Sequence, residues 1–135
     1  MGSRMKAASR LTAALLSVAA VSPAMALDRS LEASLLKLDP DTRFHQLCDI
    51  ETMRRISAEN GPLHPDRMVM DAEREAELAG DVIIGRGAAI RSGGRWYRMT
   101  FECRATADRL TVLELDYRIG AAIPESLWET IGLWR

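Results

Sequence analysis

The feature that most restricts the fold of this chain is an alternation of apolar and polar side chains in two neighbouring segments. Residues 96–105 and 113–119 place apolar side chains at odd positions and mostly polar ones at even positions. Because successive side chains of a strand point to opposite faces of a sheet, each segment is predicted to be a half-buried strand. We expect an antiparallel hairpin whose three-residue loop, residues 106–108, sets Phe101 opposite Leu113.

The polar face of this predicted hairpin carries a candidate binding surface. The expected register sets Arg98 opposite Asp116 and Trp96 opposite Arg118, which gives an ion pair and a cation–π contact across the strands. A tryptophan among arginines is typical of binding surfaces. The alternative is that the C-terminal helix covers this face through the tryptophans near the C terminus, so that the face is interior.

The segments before the hairpin are predicted to extend the sheet. Residues 92–95, Ser-Gly-Gly-Arg, predict a tight turn because two glycines can adopt the positive φ values of a primed turn. Residues 82–84 are strand-like, and Gly85 with the glycine two positions later suggests a bulge or bend. Residues 68–70 are a candidate further strand. A meander of three or four antiparallel strands results.

Helices are predicted on both sides of this sheet in the sequence. Asp39 can cap a helix that starts at Pro40, and apolar residues then recur at helical spacing as far as residue 56. Residues 27–38 are amphipathic and predict a short helix before it. Pro124 is expected to start a short C-terminal helix. The fold class is therefore α+β, with the main helix packed on the meander.

The N terminus has the pattern of a signal peptide over residues 1–26. Three basic residues precede an apolar run, and the small residues Ala24 and Ala26 then provide a cleavage site. An uncleaved anchor is the alternative, but the uncharged stretch is shorter than the about 20 residues that span a bilayer. No later segment is apolar enough to span a membrane. We expect a periplasmic protein with one α+β domain over residues 27–135.

Two cysteines, Cys48 in the predicted helix and Cys103 in a predicted strand, are the only ones in the sequence. An even number of cysteines in an oxidising compartment favours a disulfide. A catalytic thiol is the alternative. We predict a structural disulfide that joins the helix to the sheet.

The charge balance argues against nucleic-acid binding. The chain has 18 basic and 19 acidic side chains, and three of the basic ones lie in the predicted leader. Residues 27–135 therefore carry 15 basic and 19 acidic side chains, a net charge of −4. Proteins that bind nucleic acid non-specifically need a positive field over the phosphates.

Several short motifs follow one another in a fixed order between Leu31 and Trp134. They are Leu38-Asp39-Pro40, Cys48-Asp49-Ile50-Glu51, His64-Pro65-Asp66-Arg67, Gly87-Ala88-Ala89-Ile90-Arg91-Ser92, Arg95-Trp96-Tyr97-Arg98, Asp116-Tyr117-Arg118-Ile119-Gly120 and Gly132-Leu133-Trp134. Their order resembles one known family, the domain of unknown function 930 family of alphaproteobacteria. The resemblance implies an envelope protein, and it implies no activity and no catalytic residues.

The polar residues offer no recognised catalytic motif, so we predict no catalytic residues, no metal and no cofactor. His45 and His64 are nineteen positions apart, and a metal held with Asp49 or Asp66 is the less favoured interpretation beside surface or capping histidines. His64, Asp66 and Arg67 form a candidate polar loop. The loop either recognises a polar ligand or clamps itself through its own hydrogen bonds, and the clamp is favoured.

Three functions remain open at this point. A non-catalytic envelope module, for binding or for structure, agrees best with the absence of a catalytic motif. A small-ligand carrier with a cavity between helix and sheet is the second hypothesis, and a hydrolase is the third. The expected partner is an envelope protein or a small ligand.

Overall fold

The computed structural model describes the backbone of residues 23–135 and the side chains from residue 29 onward. The predicted leader lies outside the described residues except for its last four positions. Two helices, α1 (Pro23–Leu35) and α2 (Pro40–Ala58), precede all the strands. The strands are β1 (Arg67–Arg74), β2 (Glu77–Ala79), β3 (Val82–Ser92), β4 (Arg95–Ala105) and β5 (Val112–Ala122), and the chain then forms α3 (Glu125–Trp128) and a 3₁₀ turn (Glu129–Ile131).

Helix α2 begins at the residue that its capping signal predicts. The Asp39 side chain accepts a hydrogen bond from the Thr42 backbone N–H at 3.1 Å, and Pro40 occupies the first helical position. The carboxylate satisfies one of the backbone donors that a helix start leaves unpaired. The helix ends at Ala58, just before the sequence Asn60-Gly61-Pro62.

The strands form an antiparallel meander in the order β1, β3, β4, β5. Strand β2 also pairs with β3, so β1 and β2 share one edge of the sheet. Gly93 and Gly94 take φ values of +58° and +73° in the turn between β3 and β4. A bulge follows Gly85, where an added Cβ would lie 2.1 Å from the Phe101 ring. The α+β class, the turn and the bulge are confirmed.

The predicted register of the β4–β5 hairpin is wrong by four residues. Phe101 pairs with Tyr117 rather than with Leu113. A shift by an even number leaves alternating side chains on their predicted faces, so the alternation does not detect the error. Leu115, Tyr117 and Ile119 lie on the predicted core face. Leu113 was predicted there too, but it is 57 % exposed beside a register irregularity of the hairpin.

The connection between β4 and β5 explains this difference. It spans residues 106–111, six residues instead of three. The Thr106 backbone N–H donates to the Thr111 carbonyl at 2.9 Å, and the Thr106 hydroxyl donates to the Asp108 carboxylate at 2.6 Å. Arg109 adopts the left-handed conformation with φ 61°. The Arg109 guanidinium donates to Asp81 at 2.6 Å, which fastens this loop to the start of β3.

Helix α2 packs on the face of the sheet that carries the odd-numbered side chains of β4. The predicted disulfide is present here: Cys48 of α2 bonds to Cys103 of β4, with the Cα atoms 6.2 Å apart. Both cysteines are fully buried. The buried core on this face comprises Leu35, Phe44, Leu47, Cys48, Ile56, Met68, Met70, Ile83, Ala88, Ile90, Met99, Phe101, Cys103, Ala105 and Leu115.

The C-terminal segment covers part of the opposite face of the sheet. Ile123, Trp128 and Leu133 pack there against Ala89 and Trp96. The rest of that face, over the central parts of β4 and β5, is polar and exposed. The sheet thus has a helix on one side and a short C-terminal cover on the other.

Candidate functional site

The predicted binding surface is divided by the C-terminal cover. Trp96 is completely buried. Its indole N–H donates to the Trp134 carbonyl at 2.7 Å, and the two indole rings meet edge to face with centroids 5.4 Å apart. For Trp96 the alternative interpretation is therefore the correct one, because this side chain belongs to the interior. Trp96 is therefore not part of an exposed binding surface.

The other three members of that surface have different neighbours from those predicted. Arg98 forms an ion pair with Glu73 of β1 at 2.9 Å. Asp116 lies opposite Glu102, and Arg118 lies opposite Thr100. The predicted pairs of Arg98 with Asp116 and of Trp96 with Arg118 are wrong because the hairpin register is shifted. Asp116 and Arg118 are exposed.

The polar loop is clamped chiefly by residues of β3, whereas the favoured interpretation expected hydrogen bonds within the loop itself. Asp66 accepts two hydrogen bonds from the Arg91 guanidinium, at 3.0 and 2.8 Å. This donor keeps the pKa of the Asp66 carboxyl below its usual value. The His64 backbone N–H donates to the Ser92 hydroxyl at 2.9 Å, and Arg67 donates to the Asp66 carbonyl at 2.6 Å. The loop is therefore fastened to the end of β3.

Arg91 has a structural role that the sequence did not reveal. Its guanidinium carbon lies 5.7 Å from the centre of the Trp96 ring and 5.9 Å from the centre of the Trp134 ring. With Asp66 bound to the same guanidinium, Arg91 links the polar loop to the C-terminal cover. The cluster explains why these polar residues lie together without forming an open site.

A cavity between α2 and β1 has the properties of a ligand site. Its volume is about 320 Å³. Its walls combine apolar side chains with a histidine and three carboxylates, a composition common among small-molecule sites. The lining residues are His45, Asp49, Met68, Val69, Met70, Asp71, Glu75 and Ala76.

Asp49 is the unusual residue of this cavity. Its Oδ1 atom is buried and accepts no hydrogen bond from the described residues. Burial, with a smaller contribution from the nearby Asp71 carboxylate, raises the pKa of Asp49 to about 7. A buried polar group without a partner costs free energy, and in native proteins this is uncommon. Asp49 therefore has an unused capacity to accept a hydrogen bond or to neutralise a cation.

From the sequence, Asp49 is predicted only as a possible metal ligand, and Asp71 and Glu75 are not predicted as site residues. One signal was present, because His45 and Asp49 are four residues apart and share one side of a helix. His64 is not among the residues that line this cavity. Within residues 29–135, no group of three histidine, cysteine or acidic side chains is placed to hold a metal ion.

Two other concave regions differ in character. A groove of about 550 Å³ on the exposed sheet face is lined by charged side chains, among them Arg86, Glu102, Asp116 and Arg118. An apolar groove of about 300 Å³ lies between the two helices and the start of β5. Neither contains a buried polar side-chain atom that lacks a partner among the described residues. The α2–β1 cavity is therefore the candidate site.

No helix in the described part of the chain combines the length and apolarity needed to cross a membrane. Comparison with curated proteins and with solved structures found no match. The sequence profile of one family does match, over residues 35–133, a range that contains α2, the whole sheet and the C-terminal cover. The chain therefore belongs to this family, which is described as Domain of Unknown Function (DUF930).

Proposed function

We propose that the protein is a non-catalytic binding protein of the periplasm that holds a small organic cation in the cavity between α2 and β1. The observation that carries the proposal is the buried Asp49 carboxylate oxygen, which has no hydrogen-bond partner among the described residues. Charge-assisted hydrogen bonds to a carboxylate are among the stronger polar contacts in proteins. A ligand that donates one would satisfy this oxygen.

The cavity also restricts the kind of ligand. Asp71 and Glu75 add two more carboxylates, so an anionic ligand would be repelled. Met68, Val69, Met70 and Ala76 offer apolar contacts, and methionine side chains adapt readily to irregular ligand shapes. A volume of about 320 Å³ suits a small molecule rather than a peptide segment. An alkylammonium group with a short apolar body agrees with all three features.

Two features support location in the periplasm. The first is the signal-peptide pattern of residues 1–26, with its basic, apolar and small-residue zones in order. The second is the disulfide between Cys48 and Cys103, since disulfides persist mainly in oxidising compartments.

The absence of a hydroxyl or thiol nucleophile from the cavity wall favours binding over hydrolysis. No serine, threonine or cysteine is among the described residues that line it. An acid with a pKa near 7 can transfer protons, but hydrolysis also needs a positioned nucleophile or a positioned water. A test for activity is therefore secondary to a test for binding.

The direct test uses n-butylammonium, which pairs a cation with a short apolar tail, and calorimetry with purified protein. We expect binding, and we expect Asp49→Asn to weaken it about tenfold or more, because a hydrogen bond to a charged group contributes about 1.5–3 kcal/mol. n-Butyrate, with the same tail and the opposite charge, is the ligand control. Glu129→Gln, on the exposed 3₁₀ turn, is the variant control.

Three outcomes would reject this site. One is the absence of n-butylammonium binding to the wild type. Another is equal binding of n-butyrate, and the third is unchanged affinity in Asp49→Asn. If the controls behave as expected, small molecules released by denaturing the natively purified protein identify the natural ligand by mass spectrometry.

A further inference from the structure

Strand β5 is an open edge of the sheet. It is eleven residues long, and β4 is its only partner among the described strands. Six consecutive residues, from Glu114 to Ile119, keep an uninterrupted register with β4. The opposite edge is irregular, because the register of β1 against β3 shifts between Val69 and Arg74. A long regular edge presents a row of unpaired backbone groups that can accept a further strand.

The side chains of this edge carry charges that are not neutralised within the molecule. Asp116 and Arg118 point to the same face of the sheet and are exposed. Neither side chain forms a hydrogen bond or an ion pair with another described residue. Asp116 lies opposite the like-charged Glu102, and Arg118 lies opposite the uncharged Thr100. The two charges are therefore free to pair across the open edge.

We propose that β5 pairs antiparallel with β5 of a second copy of this chain, in a register centred on Tyr117, and forms a homodimer with one continuous sheet. In this register Asp116 lies opposite Arg118 of the partner subunit, and the two-fold symmetry creates the same pair twice. On the other face, Leu115 lies opposite Ile119 of the partner subunit. Opposite charges and apolar pairs directly across two strands both stabilise a sheet.

Charge selects this register from its neighbours. Residues that lie opposite each other in an antiparallel pair point to the same face of the sheet. In a symmetric dimer of β5 they are therefore an even number of positions apart, and the two-fold axis passes through a residue. A register centred on Leu115 would place Glu114 opposite Asp116 of the partner subunit, which are like charges. A register centred on Asp116 or on Arg118 would place that residue opposite its own copy in the partner subunit. Among the four registers centred on residues 115, 116, 117 and 118, only the register centred on Tyr117 places opposite charges across the two strands and no like charges. This dimer does not depend on the α2–β1 cavity.

A charge-exchange experiment tests the dimer and its register together. Sedimentation equilibrium of the wild type should give twice the mass of the chain. Asp116→Arg alone opposes two arginines, and Arg118→Asp alone opposes two aspartates, so each variant should weaken dimerisation about tenfold or more. Glu129→Arg, the same change of charge on the 3₁₀ turn, should leave the dimer unchanged.

The mixture of the two variants is the decisive sample. An Asp116→Arg chain beside an Arg118→Asp chain regains both opposite-charge pairs, so the mixture should dimerise at least about tenfold more tightly than either component alone. The double variant with both substitutions should form a dimer by itself, which shows that the substitutions do not prevent folding. A monomeric wild type would overturn the proposal. A mixture that stays monomeric would also overturn it. So would a Glu114→Arg variant that restores dimerisation when mixed with Arg118→Asp, if Asp116→Arg does not.

Discussion

Asp49 shows how a site can form from residues that have no motif in common. It follows Cys48, which faces the core, and it lies one helical turn after His45. Strand β1 then supplies Asp71, and the connection after it supplies Glu75. Burial, which the sequence does not state, is what raises the pKa of this carboxyl to about 7. The individual residues were visible in the sequence, but their common environment was not.

The raised pKa of Asp49 predicts a pH-dependent stability. The unfolded chain releases this proton near the ordinary value of 3.8, whereas the folded chain retains it until about pH 7. The contribution of Asp49 to folding therefore becomes unfavourable as pH rises from about 4 to 7, and the full cost is present above pH 7. That cost is on the order of 4 kcal/mol.

Asp49→Asn should remove this dependence. Urea unfolding at pH 5 and at pH 8 should show that the variant gains stability relative to the wild type at the higher pH. Glu129→Gln, at an exposed position of the 3₁₀ turn, serves as the control. If the difference between wild type and Asp49→Asn is the same at both pH values, the assigned pKa is wrong.

Trp96 carries a second prediction at the residue scale. It is fully buried, contacts Trp134 and Arg91, and donates its indole N–H to a carbonyl. Trp96→Ala should lower the free energy of unfolding by about 3–5 kcal/mol, the usual cost of truncating a buried aromatic residue.

Trp134→Ala is the matched control for Trp96→Ala. Trp134 is 48 % exposed, and the atom that accepts the Trp96 hydrogen bond is its backbone oxygen, so a loss of only about 1 kcal/mol is expected. Equal losses in the two variants, measured by thermal or urea unfolding, would contradict the described cover.

At the scale of elements, the sequence predicted what depends on local pattern. The Asp39 cap, the Pro40 start, the Gly93-Gly94 turn and the strand faces follow from signals within a few residues. The register of β4 and β5 depends on the length of their connection, and no periodicity specifies it. Thr106, Asp108 and Arg109 define the longer loop through hydrogen bonds whose partners are known only once the chain is folded.

The disulfide between α2 and β4 gives a prediction at this scale. It closes a loop of 55 residues, and the chain-entropy model assigns such closure about 4 kcal/mol. Cys103→Ser should lose about that amount or more, because it removes the crosslink and buries a hydroxyl in the core. Urea unfolding measures the loss, and reduced wild-type protein is the control. A loss below about 1 kcal/mol in both samples would show that the crosslink contributes little to this fold.

For the whole molecule, one α+β unit with its meander, helices and disulfide was predictable because these features follow from pattern and composition. The C-terminal cover was predicted only as one of two alternatives, since the sequence could not decide which face of the sheet it occupies. The α2–β1 cavity could not be predicted from the sequence, because it depends on the distance between helix α2 and the irregular edge strand β1. The hypothesis of a cavity between helix and sheet had the right place but named no lining residues.

Export is the remaining prediction at this scale. Mass spectrometry of the intact protein from the periplasm should give the mass of residues 27–135, since Ala24 and Ala26 mark the cleavage site. Retention of residues 1–26 would mean an anchored domain, and recovery only from the cytoplasm would contradict export. Thiol titration of the same sample, unfolded without reductant, should find no free thiol.

The central claim is that Asp49 binds a cation in its ionised form, and its most direct test is the pH dependence of n-butylammonium affinity. Calorimetry at pH 6 and at pH 8 should show about tenfold tighter binding at pH 8, because a carboxyl with a pKa of about 7 is mostly protonated at the lower pH. The same titration in His45→Gln, which removes the imidazole from the cavity wall, isolates the contribution of Asp49. Binding at pH 6 should also release a proton in the wild type, and Asp49→Asn should show neither effect. Equal affinity at the two pH values in wild type and His45→Gln would contradict the claim.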